Sequence, residues 1–254
     1  MNWSAPWLAL FAEVGQKVAA SSDWRRSLNQ AAASADLRNS SGKRIEFCEP
    51  KPGAREAYES GIARTGCVPM RADLHDFFNA LTFLHFPTAK ASLNRLQAAE
   101  IARNGVRAMR GSVRDAATLI DENAVLVVTE RADIVQSLRS HDWQMLFQGN
   151  RTAWTREVDA VAFGHALLQK LTHPYNAITA HALHIPLPPG SPLPQIDRCM
   201  AAALDENLSP NALLPLPVLG IPGWCVRNEN PDFYSDRTVF RPAKMRRDRK
   251  EKDS

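Results

Sequence analysis

Between positions 74 and 103, hydrophobic side chains recur every three or four residues, which is the spacing of amphipathic helices. The stripe of the first segment consists of Leu74, Phe77, Phe78, Leu81 and Leu84. Asp73 precedes this stripe as an N-cap, so the pattern predicts a helix from about Leu74 to His85. Pro87 restarts the chain before a second predicted helix over about 88–103, which ends at Gly105. We expect the two helices to pack as a hairpin or a kinked pair.

A different pattern predicts a small sheet. The run Val125-Leu126-Val127-Val128 is apolar on both faces, which is typical of a strand that is buried on both sides. Ala117–Asp121 and Ala124–Thr129 flank the two-residue turn Glu122-Asn123, and this arrangement predicts a β-hairpin. Arg44–Cys48 alternates like a short strand that would join the same sheet.

Shorter helical patterns occupy much of the remaining N-terminal and central chain. Ser22 or Asp23 can cap the helix that begins at Trp24. The approximate helical ranges are 24–33, 58–62, 133–138, 142–148 and 156–171.

The C-terminal third is rich in proline. Nine of the seventeen prolines lie between 186 and 223, and they exclude long regular elements apart from one helix near Gln195–Leu204. Large apolar side chains between Leu213 and Trp224 must nevertheless be buried. We therefore expect an ordered, extended wrap in this region.

The helical patterns outnumber the strands and do not alternate with them as βαβ units. The sequence therefore predicts an α+β fold: a helix-rich single domain over residues 1–243, with a small sheet built around the β-hairpin and a proline-rich C-terminal wrap. Residues 244–254 carry mixed charges and no apolar side chain after Met245, so we expect a disordered charged tail.

Charge argues against a nucleic-acid partner. The chain has 31 basic and 27 acidic residues, and its tail alone holds six of the bases and three of the acids. Without the tail, 25 basic (31 less 6) and 24 acidic residues (27 less 3) remain, so the body is nearly neutral. A composition of 44% hydrophobic and 23% charged residues is typical of a globular protein with a real core.

Neither the ends nor the cysteines suggest export or a membrane. No apolar run reaches the roughly 18 residues that a spanning helix needs, and the N-terminus lacks the features of a signal peptide. The four cysteines are widely spaced and form no C-x-x-C pair. We therefore expect reduced thiols in a cytoplasmic protein.

The helix over 74–85 carries the first candidate chemistry. His75, Asn79 and Thr82 share its polar flank, where they could bind a metal, orient a substrate carbonyl or act in acid-base catalysis. Ordinary surface polarity explains the same pattern, because polar pairs at this spacing are common on helices.

His165 lies in the apolar stripe of the predicted helix 156–171. A buried imidazole needs a hydrogen-bond partner, and its role can be structural, metal-binding or catalytic. We expect His75 and His165 to approach one polar pocket that Asp76, Asn79 or an acid of the 115–122 region completes. His181 and His184 favour an extended segment, so only one of them would face a given pocket. The catalytic candidates are His75, Asp76, Asn79 and His165, and the candidate ligands of a divalent metal are His75, His165, His181 and Asp121.

Several strings resemble the bacterial domain-of-unknown-function family 3025, and the likeness spans about Tyr58 to Phe240. The resemblance implies a bacterial intracellular protein with a single domain, and it implies no activity. The strings are His75-Asp76-Phe77-Phe78-Asn79-Ala80-Leu81, Phe86-Pro87-Thr88-Ala89-Lys90-Ala91-Ser92-Leu93-Asn94, Arg114-Asp115-Ala116-Ala117-Thr118-Leu119, Phe163-Gly164-His165-Ala166-Leu167 and Leu214-Pro215-Leu216-Pro217-Val218-Leu219-Gly220.

Two functional hypotheses follow from these features. The first is a hydrolase-like enzyme with a histidine and carboxylate site that holds a divalent metal or an acid-base pair. The second is a non-catalytic binding or assembly module, in which the tryptophans and the proline-rich wrap form a surface for a protein partner. The metal content of the purified protein separates the two.

Overall fold

The computed structural model describes residues 1–51, 57–105 and 111–243, so the predicted tail over 244–254 lies outside the described residues. The α-helices in these ranges are α1 (Ala12–Ala19), α2 (Trp24–Ser34), α3 (Tyr58–Thr65), α4 (Leu74–His85), α5 (Pro87–Asn104), α6 (Ser112–Asn123), α7 (Ala132–Ser140), α8 (His165–Lys170) and α9 (Leu193–Ala202). The strands are β1 (Glu46–Cys48), β2 (Cys67–Pro69), β3 (Ala124–Val128), β4 (Asp159–Ala162), β5 (Thr179–Ile185) and β6 (Leu214–Pro217). The helix-rich α+β class predicted from the sequence is confirmed.

A four-stranded mixed sheet lies at the centre of the fold, with the strand order β4-β3-β5-β6. β3 pairs antiparallel with β4 and parallel with β5, so that Leu126 is opposite Val161 on one side and Leu183 on the other. β6 joins β5 in antiparallel orientation. Every residue of β3 is buried, which confirms the prediction of a strand covered on both faces.

The predicted β-hairpin is wrong, because residues 117–121 belong to α6. One side of that helix is buried, at Ala116, Ala117 and Ile120. Three apolar residues over such a short stretch are compatible with the repeat of a helix as well as with that of a strand. Glu122 and Asn123 end the helix instead of forming a turn, and β3 follows directly. The partners of β3 therefore come from later segments of the chain.

Two further predictions about elements need correction. Residues 156–171 form no single helix: β4 and α8 replace it, and Gly164 separates them. The β-branched Val158 and Val161 favour a pleated strand there. Arg44–Cys48 contains a strand, β1, but it pairs in parallel with β2 in a separate two-stranded sheet.

The predicted pair of central helices is confirmed as α4 and α5. The Asp73 carboxylate caps α4 by accepting a hydrogen bond from the Asp76 backbone N–H at 2.9 Å. α4 packs against α8, whereas α5 packs against α3, α6 and α9. One hydrophobic core includes side chains from Ala5 to Phe240. Within the described ranges, the helices are all too short or too polar to cross a membrane.

The proline-rich segment is an ordered wrap, as predicted. Leu216, Val218 and Ile221 are buried in the common core, so they do not form a surface for a partner. The expected helix is α9, and its buried Asp197 accepts hydrogen bonds from the backbone N–H groups of Thr88 and Ala89 at 2.9 and 2.8 Å. Through these bonds the wrap caps the N-terminus of α5.

The cysteines differ from the expectation of four reduced thiols. Cys48 and Cys67 form a disulfide that connects β1 to β2, whereas Cys199 and Cys225 are free. Spacing along the chain could not reveal this pair, because the parallel pairing of β1 and β2 brings the two residues together.

Gly164 provides a direct test of how α8 is positioned. A Cβ atom at this residue would lie 2.4 Å from the Asn123 backbone nitrogen, although its φ of −60° suits any residue. We expect Gly164→Ala to lower the free energy of unfolding by about 1–3 kcal/mol through overpacking, as measured by urea denaturation. Gly111→Ala is the matched control, because the added methyl would meet only the flexible end of Glu100. Equal stability of the two variants would contradict this account.

The disulfide closes a loop with a sequence separation of 19 residues. We expect its reduction to lower the free energy of unfolding by about 3 kcal/mol, because cross-linking a loop of this length restricts the unfolded chain. Denaturation of the Cys199→Ser/Cys225→Ser variant with and without reductant measures the difference. Four titratable thiols in the native, unreduced wild-type protein would show that the bond does not form.

Candidate metal centre

Three helices bring their ends together beside the sheet. His75 lies in the first turn of α4, Glu122 is the second-last residue of α6, and His165 is the first residue of α8. The Gly164 backbone N–H donates a hydrogen bond to the Ala124 carbonyl at 3.0 Å, which holds the start of α8 against the end of α6. The Thr82 hydroxyl contacts the Phe163 carbonyl at 3.3 Å and connects α4 to the same junction.

The side chains of these three residues converge on one point. The Nε2 atoms of His75 and His165 are 3.1 Å apart, and their rings are nearly perpendicular, at 79°. Glu122 Oε2 lies 3.5 Å from His165 Nε2. Ligand atoms from all three residues lie within 4.8 Å of one another. The predicted approach of His75 and His165 is therefore present in the structure.

This spacing fits a tetrahedral metal ion. Zinc binds imidazole nitrogen and carboxylate oxygen at about 2.0–2.2 Å, so two ligand atoms on a tetrahedron are separated by about 3.3 Å. Two of the three observed separations, 3.1 and 3.5 Å, bracket that value, and the third, between His75 and Glu122, is within 4.8 Å. Two histidines and one carboxylate would leave a fourth position open, which is the pattern of catalytic rather than structural zinc sites.

The protonation of His165 suits a metal ligand. Burial lowers its pKa to about 4, although the Asp121 carboxylate acts in the opposite direction. The imidazole is therefore neutral at pH 7, and a neutral ring can offer a nitrogen lone pair to a cation. Burial raises the pKa of Glu122, while the charge of His75 opposes that rise. The Glu122 side chain is 40% exposed and the His165 side chain only 5%, so the cluster opens to solvent on the Glu122 side.

Asp121 lies behind His165. Its Oδ2 atom is 4.0 Å from His165 Nδ1, a buried nitrogen that makes no hydrogen bond of ordinary geometry to the described residues, although the Asp121 backbone is close enough to raise the pKa of His165. Its Oδ1 atom pairs with the Lys90 ammonium. Burial alone would raise the pKa of Asp121, but the Lys90 ammonium, through its charge and its hydrogen bond, helps to hold the pKa below its ordinary value. Asp121 is thus an ionised neighbour of His165 and lies outside the three-residue cluster.

Lys90, Asn79 and Tyr58 extend the polar contacts from Asp121 across three helices. The Lys90 ammonium also donates to Asn79 Oδ1 at 2.8 Å and lies 4.4 Å from the centre of the Phe83 ring. Asn79 Nδ2 donates to the Tyr58 hydroxyl at 3.1 Å. Asn79, a predicted site residue, therefore lies beside the cluster and connects α3 to α5.

Two other predicted site residues lie outside the cluster. The Asp76 carboxylate accepts hydrogen bonds from the Arg71 backbone N–H and from its Nε atom, both at 2.8 Å. These bonds anchor the chain that enters α4. His181 lies on β5, where burial and the charge of Lys170 lower its pKa. Residues three apart on a strand point to opposite faces, so His184 does not share a pocket with His181. Its Nε2 atom contacts the Thr129 carbonyl at 2.9 Å.

The sequence predicts an acid of the 115–122 region in the site but singles out Asp121, whereas the structure places Glu122 in the cluster. Neither Lys90 nor Tyr58 was identified from the sequence as a site residue. The predicted hairpin turn puts Glu122 in a loop, whereas it lies at the end of α6. The sequence carries a signal for Lys90, because two other polar residues, Asn94 and Gln97, follow it at helical spacing on the same side of α5. In the structure all three residues are buried. No local pattern indicates the contact between Tyr58 and Asn79.

Comparison with known proteins identifies the family. The family model described as "Protein of unknown function (DUF3025)" matches residues 45–244, which include every residue of the site. The chain therefore belongs to the DUF3025 family. Searches among curated proteins and among solved structures gave no match.

Lys90 offers a test of the charge network. Lys90→Met leaves Asp121 buried without its counter-charge, so we expect the free energy of unfolding to fall by about 3–5 kcal/mol at pH 7. Lowering the pH to 4 should shrink the difference from wild type. At pH 4 Asp121 stays ionised and paired in the wild-type protein, because its pKa lies below the ordinary value. In the variant, burial without Lys90 raises the pKa of Asp121, so protonation relieves the unpaired charge. Chemical denaturation at both pH values measures this.

The double variant Lys90→Met/Asp121→Leu is the control, because it removes both charges together. We expect most of the lost stability to return. A double variant as unstable as Lys90→Met would show that the loss comes from packing and not from an unpaired carboxylate.

Proposed function

We propose that this member of the DUF3025 family is a metal-dependent hydrolase. Its metal is a divalent transition ion of the zinc type, bound by His75, His165 and Glu122. The observation that supports this proposal is the convergence of two imidazole nitrogens and a carboxylate oxygen at separations that suit one tetrahedral ion.

The ligand types favour zinc or a similar ion over magnesium or calcium. Imidazole nitrogen suits zinc, copper, iron and nickel, whereas magnesium and calcium select oxygen ligands. His165 is neutral at neutral pH and needs no proton to leave before it binds. A cation beside Glu122 would also compensate the burial that raises the pKa of this carboxyl.

The assignment to hydrolysis rests on the fourth, open coordination position and on the exposure of the cluster to solvent at Glu122. An ion with three protein ligands can bind a water molecule and lower its pKa toward neutrality. Glu122 lies at the exposed side, where water and a substrate can enter. We assign His75 and His165 to metal binding and not to an acid-base pair, and we assign Asn79 to positioning its neighbours.

Asp121 is proposed as a support for the ligand His165. A carboxylate behind a ligating imidazole fixes its tautomer and orientation when the other ring nitrogen donates to it. His165 Nδ1 lies 4.0 Å from Asp121 Oδ2 and makes no hydrogen bond of ordinary geometry, so it fits that role after a small rotation. Asp76 and His181 have no part in the proposed site, because Asp76 pairs with Arg71 and His181 lies outside the cluster.

Metal stoichiometry and affinity test the proposal. We expect the wild-type protein to hold about one zinc ion per chain after zinc loading and dialysis, as measured by plasma mass spectrometry. His75→Ala, Glu122→Ala and His165→Ala each remove a ligand. Each should weaken zinc binding by more than about 100-fold in chelator competition, since changes behind the ligands alone weaken it by about 10–100-fold.

His181→Ala is the matched control, because it removes an imidazole that is partly buried but outside the cluster. It should bind zinc as the wild type does. The proposal fails if wild-type protein retains no ion against a weak chelator, or if His181→Ala loses as much affinity as the three ligand variants.

A further inference from the structure

β4 lies at one edge of the four-stranded sheet, so β3 pairs with only one of its two sides. The backbone N–H of Phe163, the residue that follows β4, donates to the Ala124 carbonyl of β3 at 3.0 Å. In an antiparallel pair, successive residues turn their N–H and C=O groups alternately toward the partner strand and away from it. Val161 therefore turns its backbone groups toward β3, whereas Ala160 and Ala162 turn theirs outward.

The outward backbone groups of Ala160 are unused. Neither its N–H nor its carbonyl makes a hydrogen bond to another described residue. Ala160 is half-buried, whereas Ala162 is buried, so the accessible part of the edge is centred on Ala160. A residue of an extended chain placed opposite Ala160 could exchange two hydrogen bonds with it, as in an ordinary antiparallel ladder.

A groove of about 340 Å³ runs along this edge, and all four residues of β4 line it. Trp7 and Leu10 of the N-terminal segment and Leu193 and Ile196 of α9 contribute most of the remaining, largely apolar lining. Trp7 Nε1 is buried and has no hydrogen-bond partner among the described residues. The groove thus combines apolar contact area with backbone groups that the chain itself leaves unpaired.

Asp159 gives one end of the groove a negative charge. Among the described residues that line the groove, it is the only one with a charged side chain. Its Oδ2 atom accepts a hydrogen bond from the Gly190 backbone N–H at 2.6 Å, and no basic side chain of the described ranges forms an ion pair with it. A basic side chain of a ligand would complement this carboxylate.

The position of the edge argues against a second copy of the chain as its partner. The N-terminal segment and α9 flank β4 in every copy, so they would keep two such edges from reaching each other. A single extended segment needs less room and can enter a groove of this size.

We propose that the groove binds an extended peptide segment of a partner protein. The segment pairs with β4 at Ala160 and places a basic side chain beside Asp159. Backbone hydrogen bonds then supply affinity, and the apolar lining and the carboxylate select the side chains. This surface is separate from the three ligands of the proposed metal centre, and its role does not depend on a bound metal.

A fluorescein-labelled hexapeptide of alternating valine and lysine is the probe, and fluorescence anisotropy measures its binding to the full chain. We expect saturable binding. The same peptide N-methylated at every residue should bind about three- to tenfold more weakly, because it has no donor for the Ala160 carbonyl. A third peptide, with glutamate in place of lysine, should also bind more weakly because it meets Asp159 with like charge.

Two variants test the protein side of the contact. Ala160→Pro removes the outward N–H, and proline is tolerated in an edge strand where that group faces away from the sheet. It should bind the valine and lysine peptide about three- to tenfold more weakly, whereas the matched control Ala160→Ser keeps the N–H and should bind as the wild type does. Asp159→Asn keeps an acceptor for Gly190 but removes the charge, so it should lose the preference for lysine over glutamate.

Equal binding of the methylated and unmethylated peptides by the wild type overturns strand pairing, and this comparison stands even if Ala160→Pro does not fold. Equal binding of the lysine and glutamate peptides overturns the role of Asp159. Absence of saturable binding up to about 1 mM peptide overturns the docking site as a whole. A wild-type dimer that Ala160→Pro converts to a monomer, as measured by sedimentation, would assign the edge to a second copy instead.

Discussion

A buried ammonium group needs compensation, and this requirement organises the helical side of the protein. The Lys90 side chain is 4% exposed, and its charge is met by Asp121 on α6 and by Asn79 on α4. One side chain of α5 thereby determines how the ends of two other helices face each other. Glu122 directly follows Asp121, and His75 lies one helical turn before Asn79, so the alignment made by Lys90 also aligns the candidate ligands.

Close backbone contact supplies the remaining alignment. α8 can begin beside the α6–β3 junction only because Gly164 has no Cβ, and this contact places His165 next to Glu122. Polar pairing therefore holds α4, α5 and α6 together, and the absence of a side chain at Gly164 allows α8 to pack beside them. Neither constraint alone would produce three converging ligand atoms.

Local patterns predicted those parts of the site that depend on local structure. The cap at Asp73 and the stripe of α4 were sufficient to place His75 on a polar flank. The apolar residues around His165 predicted its burial, although β4 and α8 replace the helix over 156–171 on which that prediction rested. Glu122 was predicted to lie in a turn because the apolar positions of residues 116–120 fit both the repeat of a helix and that of a strand. Only the pairing of β3 with strands from distant parts of the chain decides between the two. The disulfide and the contact between Tyr58 and Asn79 depend on packing between separate elements, which no spacing along the chain reveals.

The polar network is more easily explained by chemistry than by stability. Replacing a buried ion pair with apolar residues of similar volume is often neutral or stabilising, so Lys90 and Asp121 are not needed merely to fill the space between α5 and α6. The same holds for His165, whose burial disfavours its charged form and whose Nδ1 makes no hydrogen bond of ordinary geometry. A cation held by His165 and Glu122 would change this balance, because its charge would compensate Glu122 and would strengthen a hydrogen bond from the His165 ring to Asp121. The buried polar groups that cost the core stability are thus the ones that an ion would bring into favourable contact.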